Sequence, residues 1–167
     1  SRSYSLAKDQ GVEGYGWFDQ SQIRWFTENN EKWHTENPDI QALLFFHIPL
    51  HEYAQAFDHG EFKLGKRKEK ECSPKINTGM FAEMVLQRNV LGTFVGHDHV
   101  NNYVAQLHNI ALCYGYFSGG NSYGSRPLNG ARFILLEAGK KTFTTWLRRM
   151  DGEIFNRVEL PKTTNAG

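Results

Sequence analysis

At 167 residues and 40% hydrophobic content, the chain has the size of one globular domain that can bury roughly 70% of its unfolded surface. Nineteen Lys and Arg against 18 Asp and Glu leave a net charge of +1, which excludes the broad basic field that marks nucleic-acid or anionic-membrane binders. No apolar run approaches the ~20 residues that span a bilayer, and SRSYSLAKDQ lacks a signal-peptide core, so the chain reads as soluble. Cys72 and Cys113 are too few for a disulfide scaffold and lack the spacing of a cysteine zinc site, and their redox state is left open. The chain begins at Ser1 without an initiator Met, so it is expected to be processed or a piece of something longer. Removal of a leader would make it secreted or periplasmic.

In chain order, residues 3–7 are expected to form a short strand, broken by Gly11, Gly14 and Gly16. Asp19 and Gln22 have capping-box spacing, and Ile23, Phe26 and Trp33 recur at helical intervals before Asn37-Pro38, which predicts a helix over 19–35. Residues 41–48, apolar almost throughout and bounded by Pro38 and Pro49, predict a strand buried on both faces. A short helix is expected over 51–58. The charged run KLGKRKEKE (63–71) reads as a solvated, mobile loop, because its interleaved acids argue against a phosphate-binding basic patch. Residues 79–88 predict a helix with Met80, Phe81, Met84 and Val85 on one face. Strands are expected over 90–95, 103–107, 110–114, 132–137, 142–148 and 154–160, with hairpins at Asn109, Gly139-Lys140 and Asp151-Gly152. Between Gly115 and Gly130, a long loop with five glycines is the kind that covers a site or stays flexible.

The chemistry-bearing residues concentrate at two strand ends. Gly96-His97-Asp98-His99 follows the apolar strand VLGTFV, and two histidines at i and i+2 past a strand end can serve two adjacent metal positions, with Gly96 allowing a sharp turn. His47 closes the run ALLFFH, where an ionisable ring after five apolar residues needs a hydrogen bond or a cation. Taken alone, each of these histidines reads more readily as a surface or core residue; their strand-end setting and their combination favour metal ligation. His51 is a candidate proton donor or substrate-orienting group, or else a surface residue. Asp98 holds the turn through its side chain, and Asn101 and Asn102 are candidate supporting residues behind the ligands. Arg126, in the glycine-rich loop, and Asn102 are candidate phosphate-contacting residues. His34, His59 and His108 read as surface residues.

An apolar strand ending in His, followed by a later strand ending in Gly-His-x-His, resembles the C-terminal half of the calcineurin-like metallophosphoesterases, the superfamily that includes purple acid phosphatases. The blocks GYGWFDQSQIRWF (14–26), LLFFHIPLHEY (43–53), ECSPKINTGMF (71–81) and FVGHDHVNNY (94–103) are similar to its purple-acid-phosphatase-like phosphohydrolase branch, and the glycine-rich loop and closing strands to about residue 160 look alike too. The resemblance implies a dinuclear centre of two divalent or trivalent ions, Fe, Mn or Zn, about 3.5 Å apart, that hydrolyses phosphate esters. It assigns His47 and His97 to one ion and His99 to the other. The family's earlier motifs, D-x-H, G-D-x-x-D and G-N-H-D/E, which supply the remaining ligands and the catalytic histidine, are absent from these 167 residues. Three histidines cannot hold two ions alone.

The expectation is therefore an α/β chain, residues 1–167 forming one partial domain. It would be the C-terminal half of a four-layer αββα sandwich, with a mixed sheet followed by mostly antiparallel strands and helices 19–35 and 79–88 on its outer face. Such a half should expose an apolar sheet face and pair through it with the missing N-terminal half or with a second copy. The expected function is metal-dependent phosphoric-ester hydrolysis, with this chain inactive alone. The alternatives are a phosphodiesterase or nucleotide pyrophosphatase of the same superfamily, a catalytically dead scaffold or binding module, and, more weakly, a zinc-stabilised structural domain. Neither nucleic acid nor membrane is an expected partner.

Overall fold

The computed structural model describes residues 5–120, 122–124 and 129–163. Its first element is helical: Ser5–Asp9 form α1, where residues 3–7 were expected to extend as a strand. Leu6, Ala7 and Lys8 are strong helix formers, and that preference outweighs a weak alternation in so short a run. Residues 3 and 4 lie outside the described residues. Helix α2 (Gln20–Glu36) starts as its capping box predicts: the Gln22 N–H donates to Asp19 Oδ1 and the Asp19 N–H to Gln22 Oε1, each at 3.0 Å.

The buried stripe of α2 is Ile23, Phe26 and Asn30, whereas Trp33 is 40% exposed and meets Trp25 edge-on. Asn30 is buried because it has a partner: its amide and that of Asn89 exchange two 3.0 Å hydrogen bonds, and Asn30 also donates to Gln87 Oε1 at 2.7 Å. Breaking that pair strands a buried amide. Asn30→Leu is expected to cost about 2–3 kcal/mol in urea unfolding, and Asn30→Leu with Asn89→Leu less than the sum of the two single changes.

The remaining elements are β1 (Ala42–Phe45), α3 (Glu52–His59), β2 (Phe62–Leu64), α4 (Met80–Gln87), β3 (Val90–Val95), β4 (Val104–Leu107), β5 (Ile110–Tyr114), β6 (Gly130–Leu136), β7 (Phe143–Arg149) and β8 (Ile154–Leu160). A five-stranded mixed sheet runs β1-β3-β5-β4-β2, with β1, β3 and β5 parallel and β4 and β2 antiparallel to their neighbours. A second, antiparallel sheet runs β6-β7-β8. The α/β class, the mixed sheet followed by an antiparallel meander, and the helices on one face agree with the sequence reading.

Period-two alternation builds the layers. Along β5, Ile110, Leu112 and Tyr114 join Ile23, Phe26, Tyr53, Met80, Phe81 and Met84 in the core beneath α2, α3 and α4. Ala111 and Cys113 face the other way, into a second core with Leu91, Phe94, Phe143, Val158 and Leu160 between the two sheets. Both faces of the five-stranded sheet are thus covered within the chain. Exposed apolar side chains on the outer strands include Phe45 (65%) on β1, Phe133 (40%), Leu135 (42%) and Leu136 (61%) on β6, and Ile154 (55%) on β8.

Strand β1 is shorter than expected and is not buried on both faces. It is an outer strand, with Ala42, Leu43 and Leu44 half-buried and Phe45 exposed. Within the charged run, Phe62–Leu64 pairs with β4 as β2, and the remainder is tied down rather than free. The N–H of Lys66 donates to Asn102 Oδ1 and that of Lys68 to Asn101 Oδ1, both at 2.8 Å. Arg67 bridges Asp58 at 3.0 Å and lies over the Phe57 ring, and Glu71 is buried against the Tyr103 hydroxyl at 2.6 Å. Among the described residues no helix is long and apolar enough to cross a membrane.

Candidate functional site

The parallel pairing of β1 and β3 brings the two histidine segments together. Beyond the strands the ladder continues: the Phe46 N–H donates to Phe94 O and the Gly96 N–H to His47 O, both at 3.1 Å. His47 and the turn of residues 96–99 therefore emerge side by side, at the C-terminal ends of parallel strands, where open α/β sheets place their ligands. His47, His97 and His99 all line one cleft of about 280 Å³, with Asp98, Asn101 and Tyr114.

Gly96 acts differently from the expectation. A Cβ there would lie 3.3 Å from His47 Nδ1, so the glycine makes room for the imidazole. The left-handed turn falls one residue later, at His97, with φ +67°. His47 itself is exposed, so no burial penalty demands a partner for it; its strand is too short and too peripheral to bury it. The rings of His47 and His97 are 5.2 Å apart and near perpendicular, and Tyr15 meets His97 edge-on at 4.4 Å. Burial, opposed by Asp98 and reinforced by His47 and His99, lowers the His97 imidazole from its usual value, in the direction that favours the neutral ring.

His99 is clamped between Phe117 and Tyr123, both stacked on its ring at 4.3 and 4.2 Å. Its Nδ1 lies 2.8 Å from the Tyr123 carbonyl oxygen. An N–H at that position would donate to the carbonyl and leave Nε2 as the coordinating atom, the arrangement common among metal-bound histidines. The glycine-rich loop thus reaches the site through Phe117 and Tyr123; Arg126 lies outside the described residues.

Asp98 was expected to bond within its own turn, but its carboxylate binds residues from elsewhere in the chain. It is buried, it accepts the Tyr114 hydroxyl at 2.5 Å, and both of its oxygens accept the Cys72 N–H at 3.3 Å. Burial and that hydrogen bond push the Tyr114 phenol far above the tyrosine range. Burial and then Asp98 push the Cys72 thiol up to about 11. Behind the turn, Arg132 of β6 donates to Tyr114 O at 2.5 Å, Asn102 O at 3.0 Å and Thr145 Oγ1 at 3.2 Å, which fastens the second sheet to the backbone beneath the cleft.

The structure brings His47, His97 and His99 to one cleft. It sets His51 apart, exposed at the head of α3. Asn102 is turned to the charged loop, its Oδ1 taken by Lys66, and Asn101 pins Lys68 and Glu69 while lining the cleft. His34, His59 and His108 are exposed, as expected. Cys72, Tyr123, Phe117 and Arg132 were not anticipated at the site. Only the loop's length and glycine content signalled two of them.

As a test of fit, three imidazoles supply nitrogen donors suited to zinc, iron or manganese, but two ions need more ligands than these three. The histidines fit part of a dinuclear centre.

Comparison with known proteins finds three relatives from Arabidopsis thaliana. The chain is 45% identical over 82 residues to "Probable inactive purple acid phosphatase 14", covering 49% of the chain and 20% of that protein. It is 33% identical over 144 residues to "Probable inactive purple acid phosphatase 29" (81% and 37%) and 32% identical over 162 residues to "Probable inactive purple acid phosphatase 28" (90% and 40%). These similarities relate the chain to the purple acid phosphatase family, and it spans at most 40% of the length of these relatives. No family model matches the chain, and no solved structure matches it.

Proposed function

We propose that this chain is the C-terminal, histidine-bearing part of a purple-acid-phosphatase-like metallophosphoesterase domain, in which His47 and His97 hold one metal ion and His99 a second. The observation that carries this reading is the convergence of the three imidazoles on one cleft at the ends of parallel β1 and β3. When bound there, a pair of zinc, iron or manganese ions supplies the charge that stabilises phosphoryl transfer from a phosphate ester. The chain's own residues then orient and shield: Phe117 and Tyr123 fix the plane of His99, Asp98 fixes the turn, and Arg132 fixes the backbone below it. The other ligands and the fourth layer of the sandwich would come from further polypeptide packed along the exposed flank of β1 and β6, an arrangement that the greater length of the relatives supports.

A second reading has its own support, since all three relatives are named inactive: a scaffold of the same fold without turnover. Assay of the polypeptide as encoded separates the two, with p-nitrophenyl phosphate and its diester as substrates and zinc, manganese or iron added. The hydrolase reading predicts turnover that falls by about 100-fold or more in His97→Ala and His99→Ala, equivalent to roughly 3 kcal/mol of lost transition-state stabilisation. Preference for the diester would select the phosphodiesterase variant. Absence of turnover in the folded wild type with every metal would select the scaffold.

A further inference from the structure

Cys72 stands outside the histidine set yet faces it. Its Sγ, one ring nitrogen of His97 and one carboxylate oxygen of Asp98 all lie within 4.8 Å of one another. Among the described residues, this is the one group of three or more His, Cys, Asp or Glu side chains so closely placed. The approach is built rather than incidental. The Cys72 N–H is held by Asp98, Asp98 is held by Tyr114, and the segment before Cys72 is pinned at Lys68 and Glu69 by Asn101.

The donor set has a definite chemical preference. Metal binding would displace the Cys72 thiol proton to solvent, and the resulting thiolate and the Asp98 carboxylate sum to −2, which a divalent cation neutralises. Tetrahedral zinc with sulfur at ~2.3 Å and nitrogen at ~2.0 Å places its ligand atoms ~3.5 Å apart, so side-chain rotations closing the group by about 1 Å complete the geometry. Sulfur in the set favours zinc or cadmium over magnesium or calcium.

We propose that Cys72, His97 and Asp98 form a mononuclear site for a thiophilic divalent cation of the zinc type, with its fourth position open to solvent. The site shares His97 with the histidine centre but uses neither His47 nor His99, so it stands even if the hydrolase reading fails.

Titrating the full reduced chain with Co²⁺ tests this directly, because cobalt bound to thiolate shows a sulfur-to-metal charge-transfer band in the near ultraviolet. One equivalent should produce the band and zinc should remove it. Cys72→Ser and His97→Ala should lose the band, with affinity falling at least tenfold, while His47→Ala, His99→Ala and Cys113→Ser keep it. Absence of the band in the wild type, its survival in Cys72→Ser, or its loss in His47→Ala would overturn the proposal. As a check that needs no variant, zinc should slow alkylation of Cys72 in the folded wild type by at least tenfold, and equal rates with and without zinc would also overturn it. Failure of the hydrolase reading looks different: no turnover, with the band intact.

Discussion

His97→Ala is expected to reduce zinc affinity by about 100-fold or more, measured by equilibrium dialysis or calorimetry, while leaving the metal-free chain folded. Residues that merely orient a metal-bound ligand cost 10–100-fold when removed, so loss of a ligand itself belongs at or beyond the upper end. The effect is large because both proposed ligand sets pass through this residue. Its ring lies 5.2 Å from that of His47 on one side, and one of its nitrogens lies within 4.8 Å of the Cys72 and Asp98 ligand atoms on the other. Its backbone supplies a control. At φ +67° a non-glycine residue carries about 1 kcal/mol or more of strain, so His97→Gly should lose metal as completely as His97→Ala while making the metal-free chain slightly more stable to urea. Unchanged zinc affinity and stoichiometry in either variant would remove both proposed sites together.

What was legible in the sequence follows from how local each feature is. The start of α2 could be read because Asp19 and Gln22 satisfy each other across three residues. Strands β3 to β8 could be read because apolar runs alternate with turn residues such as Asn109, which adopts the positive φ its position suggested. Burial of β1 could not be read, because an apolar run does not say whether a strand will have one neighbour or two, and β1 has one. The same limit explains His47, whose exposure follows from that outer position. Polar contacts across long separations were also beyond reach: Asn30 with Asn89, Cys72 with Asp98 and Arg132 with Asn102 meet only once the sheets and helices have stacked. The histidines were legible as ligand candidates because strand ends are local features, and their common cleft depended on the β1–β3 pairing that parallel topology provides.

Phe143→Ala is expected to destabilise the chain by about 3–5 kcal/mol, read as a lowered urea midpoint with an unchanged denaturant slope. Phe143 opens β7 and is 1% exposed, its ring 5.5 Å from that of Phe94 in the core between the sheets. It fills a space that β3 leaves for it: a Cβ on Gly92 would lie 3.1 Å from two Phe143 ring atoms. Removing the ring therefore opens a cavity between two sheets whose paired backbones cannot collapse into it, the costly end of large-to-small changes. Gly92→Ala alone should also destabilise, since its methyl meets that ring and lies 3.0 Å from Ala111 O. Combined with Phe143→Ala, the methyl loses one clash and occupies part of the cavity, so the double variant should be more stable than the sum of the single effects predicts. The consequence reaches the cleft through Arg132, which joins the second sheet to Tyr114 O and Asn102 O; loosening that sheet should speed hydrogen exchange around residues 96–103 as well as in β7. A loss below about 1 kcal/mol, or exchange altered only within β6–β8, would show that the second sheet does not brace the histidine turn.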